Sequence, residues 1–261
     1  MKLAGIYIHI PFCAVKCMYC DFYSITEREE SIPRFFNALN KEIENCTIDS
    51  KDWQFDTVFI GGGTPSIIEP SFLESIIKSL DNKYDLSGIK EFTIEANPGE
   101  APKQRLKDYH SIGINRLSIG VQSLEPSLLK FLTRIHTKEQ FFETYDSARS
   151  VGFENINCDL IYSIPGQSWE IWERDLNNII DLNPEHISAY TLTMEKGTGL
   201  FQMVKNGQIQ MPNDSETGGW FTQTHELLNS NGFNTYEVSN FSKKNMECQH
   251  NIHYWRIHPY L

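Results

Sequence analysis

The sequence predicts an α/β fold of six strand-then-helix units, and three observations carry that prediction. Near-continuously apolar segments rich in β-branched residues recur at regular intervals, as buried parallel strands do. Between them lie segments with helical spacing of apolar residues, several opened by Pro or Ser. The chain has 261 residues, 40% of them hydrophobic, and so can bury one large core. Six parallel strands with crossover helices make either a doubly wound sheet or an incomplete (β/α)6 barrel. In both, ligands sit beyond the carboxyl ends of the strands, so functional residues are expected there.

In order, the predicted strands are 4–10 (AGIYIHI), 56–60 (DTVFI), 91–95 (EFTIE), 115–121 (NRLSIGV), 155–161 (NINCDLI) and 186–190 (HISAY). The predicted helices cover 33–45, 70–80, 102–112, a pair within 125–150, and 168–181. This assigns a core domain to residues 1–212. The remainder, 213–261, opens with a predicted helix at 213–231, passes through a short strand-like piece, TYEVSNF (235–241), and finishes on ECQHNIHYWRIHPYL. That aromatic finish has no polar tail and reads as the beginning of a C-terminal region cut short.

The formal charge is −11, from 23 basic and 34 acidic residues, and no basic run exceeds the pair Lys243-Lys244. Such a chain is unsuited to nucleic acid or an anionic membrane surface; a small molecule or a protein partner fits better. No segment approaches the roughly 18 apolar residues of a membrane span, and the N-terminus lacks a small-residue cleavage site, so a cytoplasmic protein is expected. Of six cysteines, three fall within eight residues and the others are scattered, which points to metal binding rather than a disulfide framework.

Those three follow the first strand as Cys13-x3-Cys17-x2-Cys20 in PFCAVKCMYCDFYS. Three thiolates on a [4Fe–4S] cube leave one iron free for an exchangeable ligand. A structural zinc is the alternative, with His9 or Asp21 as fourth ligand, although the spacing is not that of paired C-x2-C knuckles. After the second strand comes GGGTPS (61–66), where glycines permit close backbone approach and free amides and carbonyls can meet a charged ligand; a plain turn is the other reading. The third strand ends in Glu95, the fourth in Gln122, and the fifth carries Asp159. Each could be a helix cap, but three in succession suggest a polar ligand. Arg134, in FLTRIH, could pair with a carboxylate or be a solvated surface charge.

Taken together, YIHIPFCxxKCxYCDFYS, FIGGGTPS, IEANPG, SIGVQS, LTRIH, DLIYSIPGQ and YEVSNF resemble the coproporphyrinogen-oxidase-related branch of radical SAM proteins, and most closely the HemW-type heme chaperones. The resemblance implies a radical SAM barrel in which Cys13, Cys17 and Cys20 ligate a [4Fe–4S] cluster and the free iron is chelated by S-adenosylmethionine, whose sulfonium bond an electron then breaks. It implies further that Tyr7 and Tyr19 line the cofactor site and that Gly62, Gly63 and Thr64 hold the methionine moiety. Glu95, Gln122, Arg134 and Asp159, with Thr193 in addition, would contact the rest of S-adenosylmethionine.

The same resemblance separates two functions. Coproporphyrinogen dehydrogenases carry a further cysteine two places after the third cluster cysteine, where this chain has Phe22, and an N-terminal extension, where this chain has twelve residues before Cys13. The expected function is therefore a heme chaperone that delivers heme to an acceptor protein, with a radical SAM oxidoreductase as the alternative. His250 in CQHNIHYW matches the HNxxY motif associated with heme binding, Cys248 could add a thiolate, and Tyr254 and Trp255 could stack on a porphyrin. A packed polar-aromatic terminus is the other reading of His250, His253 and His258. The heme acceptor is not identifiable from sequence, and a homodimer is left open.

Overall fold

The computed structural model describes residues 2–48 and 50–261. Six strands, β1 (Lys2–Ile10), β2 (Trp53–Gly62), β3 (Glu91–Ala96), β4 (Arg116–Gln122), β5 (Asn155–Tyr162) and β6 (His186–Thr191), lie side by side in chain order, all parallel. Two short strands, β7 (Asn234–Thr235) and β8 (Asn240–Ser242), extend the sheet antiparallel beyond β6 in the order β6-β8-β7. The sheet is therefore an open, incomplete barrel and not a closed one. Every predicted parallel strand is present and gains at least one residue at one end, while the fourth begins one residue later than expected.

The helices between the strands cover one face of the sheet: α1 (Ile32–Asn45), α2 (Pro70–Tyr84), α3 (Lys103–Ser111), α4 (Pro126–Phe131), α5 (Lys138–Val151) and α6 (Trp169–Asp181). Pro70 and Pro126 begin their helices, where the missing N–H costs nothing. The predicted pair within 125–150 is divided by Thr133, at φ 59°, and restarted by a capping box in which Thr137 Oγ1 accepts from Gln140 N and the Gln140 side chain accepts from Thr137 N. Apolar residues of both layers, among them Ile60, Leu106, Leu117, Phe141, Cys158 and Trp172, form one buried core.

Three features depart from expectation. Helix α7 (Gly199–Lys205) was not anticipated; α8 (Asp214–Ser230) was. The run 235–241 is not one strand: the Glu237 carboxylate accepts from Ser239 N at 2.9 Å and turns the chain, leaving β7 and β8 to pair across the turn. The aromatic finish contains helix α9 (Gln249–Trp255), which packs against β1 and β2.

Glu91, at the first position of β3 and 5% exposed, holds the start of α9 by accepting from Gln249 N (2.9 Å), His250 N (3.0 Å) and Cys248 Sγ (3.4 Å). Two open amides, one thiol and a buried anion there satisfy one another. Beyond α9, residues 259–261 run along β1, with Gly5 N donating to Pro259 O, Leu261 N to Gly5 O and Tyr7 N to Leu261 O (2.8–3.2 Å), so they cover the otherwise unpaired edge of the sheet. Replacing Glu91 with Ala leaves those amides without their acceptor and takes from the buried Arg116 one of its two neighbouring carboxylates. Urea unfolding should show a loss of about 3 kcal/mol, and hydrogen exchange should rise first at residues 248–255.

Candidate functional site

A cavity of about 520 Å³ opens at the carboxyl ends of the strands. Its wall contains Cys13, Cys17, Cys20, Tyr19, Gly62, Gly63, Thr64, Glu95, Gln122, Arg134, Asp159 and Thr193. Residues spread over 181 positions of sequence thus meet on one surface, of a volume suited to a small-molecule cofactor. Tyr7 and His250 lie elsewhere, in a smaller chamber of about 140 Å³ that shares Glu95, Ser118, Asp159 and Tyr190 with the first.

The cysteine loop is fixed at several points. Ile25 returns beside Phe12, with Ile25 N donating to Pro11 O (2.7 Å) and Cys13 N to Ile25 O (2.9 Å). Within the loop, Cys20 N donates to Cys17 O at 3.2 Å, and Lys16 Nζ closes the far side on Phe22 O (2.6 Å) and Ser24 Oγ (2.8 Å). Leu200 N of α7 donates to Met18 O at 2.8 Å. His9 cannot serve as a fourth zinc ligand as it stands, because Nε2 donates to Tyr23 O (2.8 Å) and Nδ1 accepts from Tyr7 Oη (3.1 Å). Among the described residues no three His, Cys, Asp or Glu side chains converge as a single ion demands. Each thiolate of a cube binds a different iron, so three separated thiols at a cavity wall suit a cluster.

The glycine turn works differently from expectation. Its amides are not free: Gly62 N donates to Glu95 Oε2 (3.0 Å), Gly63 N to Ile10 O (2.7 Å) and Thr64 N to Phe12 O (2.8 Å). The glycines serve close packing instead. Gly62 sits at φ 114°, and a Cβ there would lie 2.7 Å from the His9 ring; one on Gly63 would lie 2.6 Å from Phe12 O and 3.0 Å from Cys13 Sγ.

Side chains above the strand ends carry the site's charge. Asp159 accepts from Ser118 Oγ and Asn157 Nδ2, both at 2.8 Å. Burial pushes its carboxyl up, and those hydrogen bonds and Arg116 offset this only in part. Glu95 is pushed up to about 7, first by loss of surrounding water and then by the Asp159 charge. Two carboxylates sharing a cavity in this way suit a ligand that brings a cation or hydroxyl groups. Arg134 is no surface charge: Nη2 donates to Asn97 Oδ1 (2.5 Å) and Gly120 O (2.8 Å), and Nη1 points to Cys17 Sγ (3.8 Å). Gln122 ends β4 at φ 64°, where the β4–β5 register slips. Sequence reasoning passed over Asn97 and Ser118; Asn97 stood inside IEANPG, one place beyond the strand.

His250 is 2% exposed, with Nδ1 hydrogen-bonded to Thr57 Oγ1 and Nε2 to Tyr254 Oη, both at 2.9 Å. Burial and the neighbouring His253 hold it down at about 4, so it is neutral. Cys248 is buried beside it, while Tyr254 and Trp255 are 41% and 57% exposed.

An open sheet of parallel strands with three thiols in the loop after its first strand defines a class, and residues 7–179 match the Radical SAM superfamily. The chain is 36% identical over 259 residues to the heme chaperone HemW of Escherichia coli, covering 98% of this chain and 67% of that protein. It is 35% identical over 254 residues to the heme chaperone HemW of Lactococcus lactis, covering 97% and 66%. A mitochondrial radical S-adenosyl methionine domain-containing protein 1 of Danio rerio is 37% identical over 258 residues, and there the chain spans 99% of itself and 58% of the relative. Among solved structures, coproporphyrinogen III oxidase (HemN) of Escherichia coli superposes with a TM-score of 0.81 at 25% identity, over 94% of this chain and 56% of that one. The chain belongs to the radical SAM superfamily and, within it, to the branch that contains the HemW-type proteins. The superfamily implies a [4Fe–4S] cluster and S-adenosylmethionine. The chain spans roughly three fifths to two thirds of the relatives named.

The raised Glu95 carboxyl has a measurable consequence. Folded, it keeps its proton up to about 7; unfolded, it releases it near 4.5. The folded state therefore binds more protons in that window, and this contribution to stability falls as pH rises across it. Urea unfolding at about pH 5 and about pH 7.5 should show wild type losing ground to Glu95→Gln at the higher pH. A constant difference between the two proteins would contradict the assignment.

Proposed function

We propose that this chain is the cofactor-binding part of a heme-handling protein of the HemW type, which binds heme and passes it to an acceptor protein. One observation carries the reading: thiols and polar groups suited to a cluster and S-adenosylmethionine share one cavity wall, in a chain about 35% identical to proteins named heme chaperones. In this reading Cys13, Cys17 and Cys20 hold the cluster, and the groups on the cavity wall hold S-adenosylmethionine. Thr64, Glu95, Gln122, Arg134 and Asp159 meet its charged and hydroxyl groups, and Tyr19 lines its site. When bound, this pair supplies one-electron chemistry. The protein's own part is to orient the sulfonium ligand and to shield it from water.

His250 is the residue we propose for axial ligation of heme iron. Its imidazole is neutral, as a ligand must be, but Nε2 would have to exchange the Tyr254 hydroxyl for iron. The likeness to coproporphyrinogen III oxidase favours a second reading, a radical SAM oxidoreductase. Among the described residues no helix is long and apolar enough to cross a membrane.

Anaerobic reconstitution should give a brown protein in wild type and a colourless one in Cys13→Ala, Cys17→Ala or Cys20→Ala. Hemin titration should give a Soret band that weakens or shifts in His250→Ala; an unchanged spectrum would remove His250 from the heme site. With dithionite and S-adenosylmethionine, catalytic 5′-deoxyadenosine formation that depends on coproporphyrinogen III would overturn the chaperone reading in favour of the oxidoreductase.

A further inference from the structure

We infer that Asn97 is a positioning residue for the iron–sulfur centre: it aims Thr64 and Arg134 at two of the three cysteine sulfurs and so sets how readily the cluster takes up an electron. The inference rests on the reading of Cys13, Cys17 and Cys20 as cluster ligands. Asn97 directly follows β3 and is tied back by its own N–H to Ser66 Oγ at 3.3 Å. Its Oδ1 accepts from Arg134 Nη2 (2.5 Å) and its Nδ2 donates to Thr64 Oγ1 (3.0 Å). Thr64 Oγ1 then donates to Cys13 Sγ (3.5 Å), and Arg134 Nη1 to Cys17 Sγ (3.8 Å).

The direction of this relay is forced. A guanidinium has no acceptor, so the amide must turn its oxygen to Arg134. Its nitrogen therefore faces Thr64, whose hydroxyl accepts that bond and has its one proton left for sulfur. A flipped amide would break the first bond and reverse the second. Space is kept for the arrangement at Gly120, where a Cβ would lie 3.1 Å from Asn97 Oδ1 and 3.2 Å from Arg134 Nη2. Cys20 differs, since its hydrogen bond comes from the backbone at Phe22.

Hydrogen bonds to cluster sulfurs and a nearby positive charge stabilise the more negative, reduced cluster and raise its potential. Removing the relay should therefore make the cluster harder to reduce. The experiment is an anaerobic redox titration of the reconstituted full chain, followed by electron paramagnetic resonance, on wild type, Asn97→Ala and Thr64→Val. With iron and sulfide content as in wild type, the reduced-to-oxidised ratio at a fixed potential should fall about fivefold for each hydrogen bond lost. Unchanged potentials in both variants, with the cluster intact, would overturn the inference; a purely structural role for Asn97 gives that result. If Asn97→Ala does not hold its cluster, Thr64→Val decides by the same criterion. A wild type that takes up iron without forming a [4Fe–4S] cluster would overturn the inference by removing the reading beneath it, a result told apart by its absent cluster spectrum.

Discussion

The site depends on how closely the turn after β2 lies against the loop after β1. Gly63 N–H to Ile10 O and Thr64 N–H to Phe12 O carry the pairing of the two strands past their ends, so the segment that becomes the cysteine loop leaves the sheet already in register with the glycine turn. This requires a residue with no side chain at 63, since a Cβ would strike both Phe12 O and Cys13 Sγ. The same contact brings the Thr64 hydroxyl to Cys13. From there the order of the sheet does the rest: β3, β4 and β5 deliver Glu95, Gln122 and Asp159 in succession around the rim. Ile25, Lys16 and α7 fix the far side of the loop. Three thiols are thus held in place by the fold, which lowers the ordering cost of binding a cluster.

The face below the rim carries a buried, hydrogen-bonded polar network that includes Ser118, Asn157, His186 and Ser188. Asn157 Nδ2 donates to Ser118 Oγ (2.7 Å) and Asp159 Oδ1, so its Oδ1 is the acceptor for His186 Nδ1 (2.6 Å); the one Ser188 hydroxyl proton is shared between Asn157 Oδ1 (3.1 Å) and the nearer Asn240 Oδ1 (2.7 Å). His186 with its proton on Nδ1 accepts from Tyr236 Oη at Nε2 (2.8 Å). Burial and Arg116 hold this histidine well below its usual range, hence neutral. The positive charge on this face comes from Arg116, itself 2% exposed, set among Glu91, Cys248, Tyr236 and Asp159. One buried guanidinium thereby serves both the carboxylate that anchors α9 and the carboxylate at the cavity wall. Sites so coupled respond together when either is changed.

Much of this was legible in the chain because strands buried on both faces write themselves as continuous apolar runs, and because parallel order puts their ends on one rim. The cysteine spacing and the positions of Glu95, Gln122 and Asp159 followed directly. What was hidden has a physical cause in each instance. The amides of 62–64 looked free because their acceptors, Ile10 O, Phe12 O and the Glu95 carboxylate, come from β1, the loop after it and β3. Asn97 looked like an ordinary loop residue because its partners lie 33 and 37 positions away. Helix α9 was obscured by its seven-residue length and by two histidines and two aromatics that give no helical stripe; Glu91, 158 residues away from Gln249, holds its start.

Tyr7 joins the two ends of the molecule that carry the motifs. Its hydroxyl donates to His9 Nδ1, which forces the His9 proton to Nε2 and onto Tyr23 O, at the back of the cysteine loop. Its ring stacks on Phe59 (6.2 Å, 27°) and lies 6.5 Å from that of His250, while Phe59 and His250 are 5.3 Å apart. Beyond His250, His253 Nε2 donates to Asp56 Oδ1 (2.7 Å), and its Nδ1 is hydrogen-bonded to His258 Nδ1 (2.9 Å). A row of rings therefore runs from the cysteine loop, through the smaller chamber, to the surface beside α9. Any movement that frees His250 from Thr57 and Tyr254 removes the packing against Tyr7 and Phe59 as well. The polarity around Glu95, whose charge is felt at both Tyr7 and Tyr254, would change with it. The HNxxY helix and the cavity at the strand ends are thus parts of one packed unit, joined through the side chains that line the chamber between them.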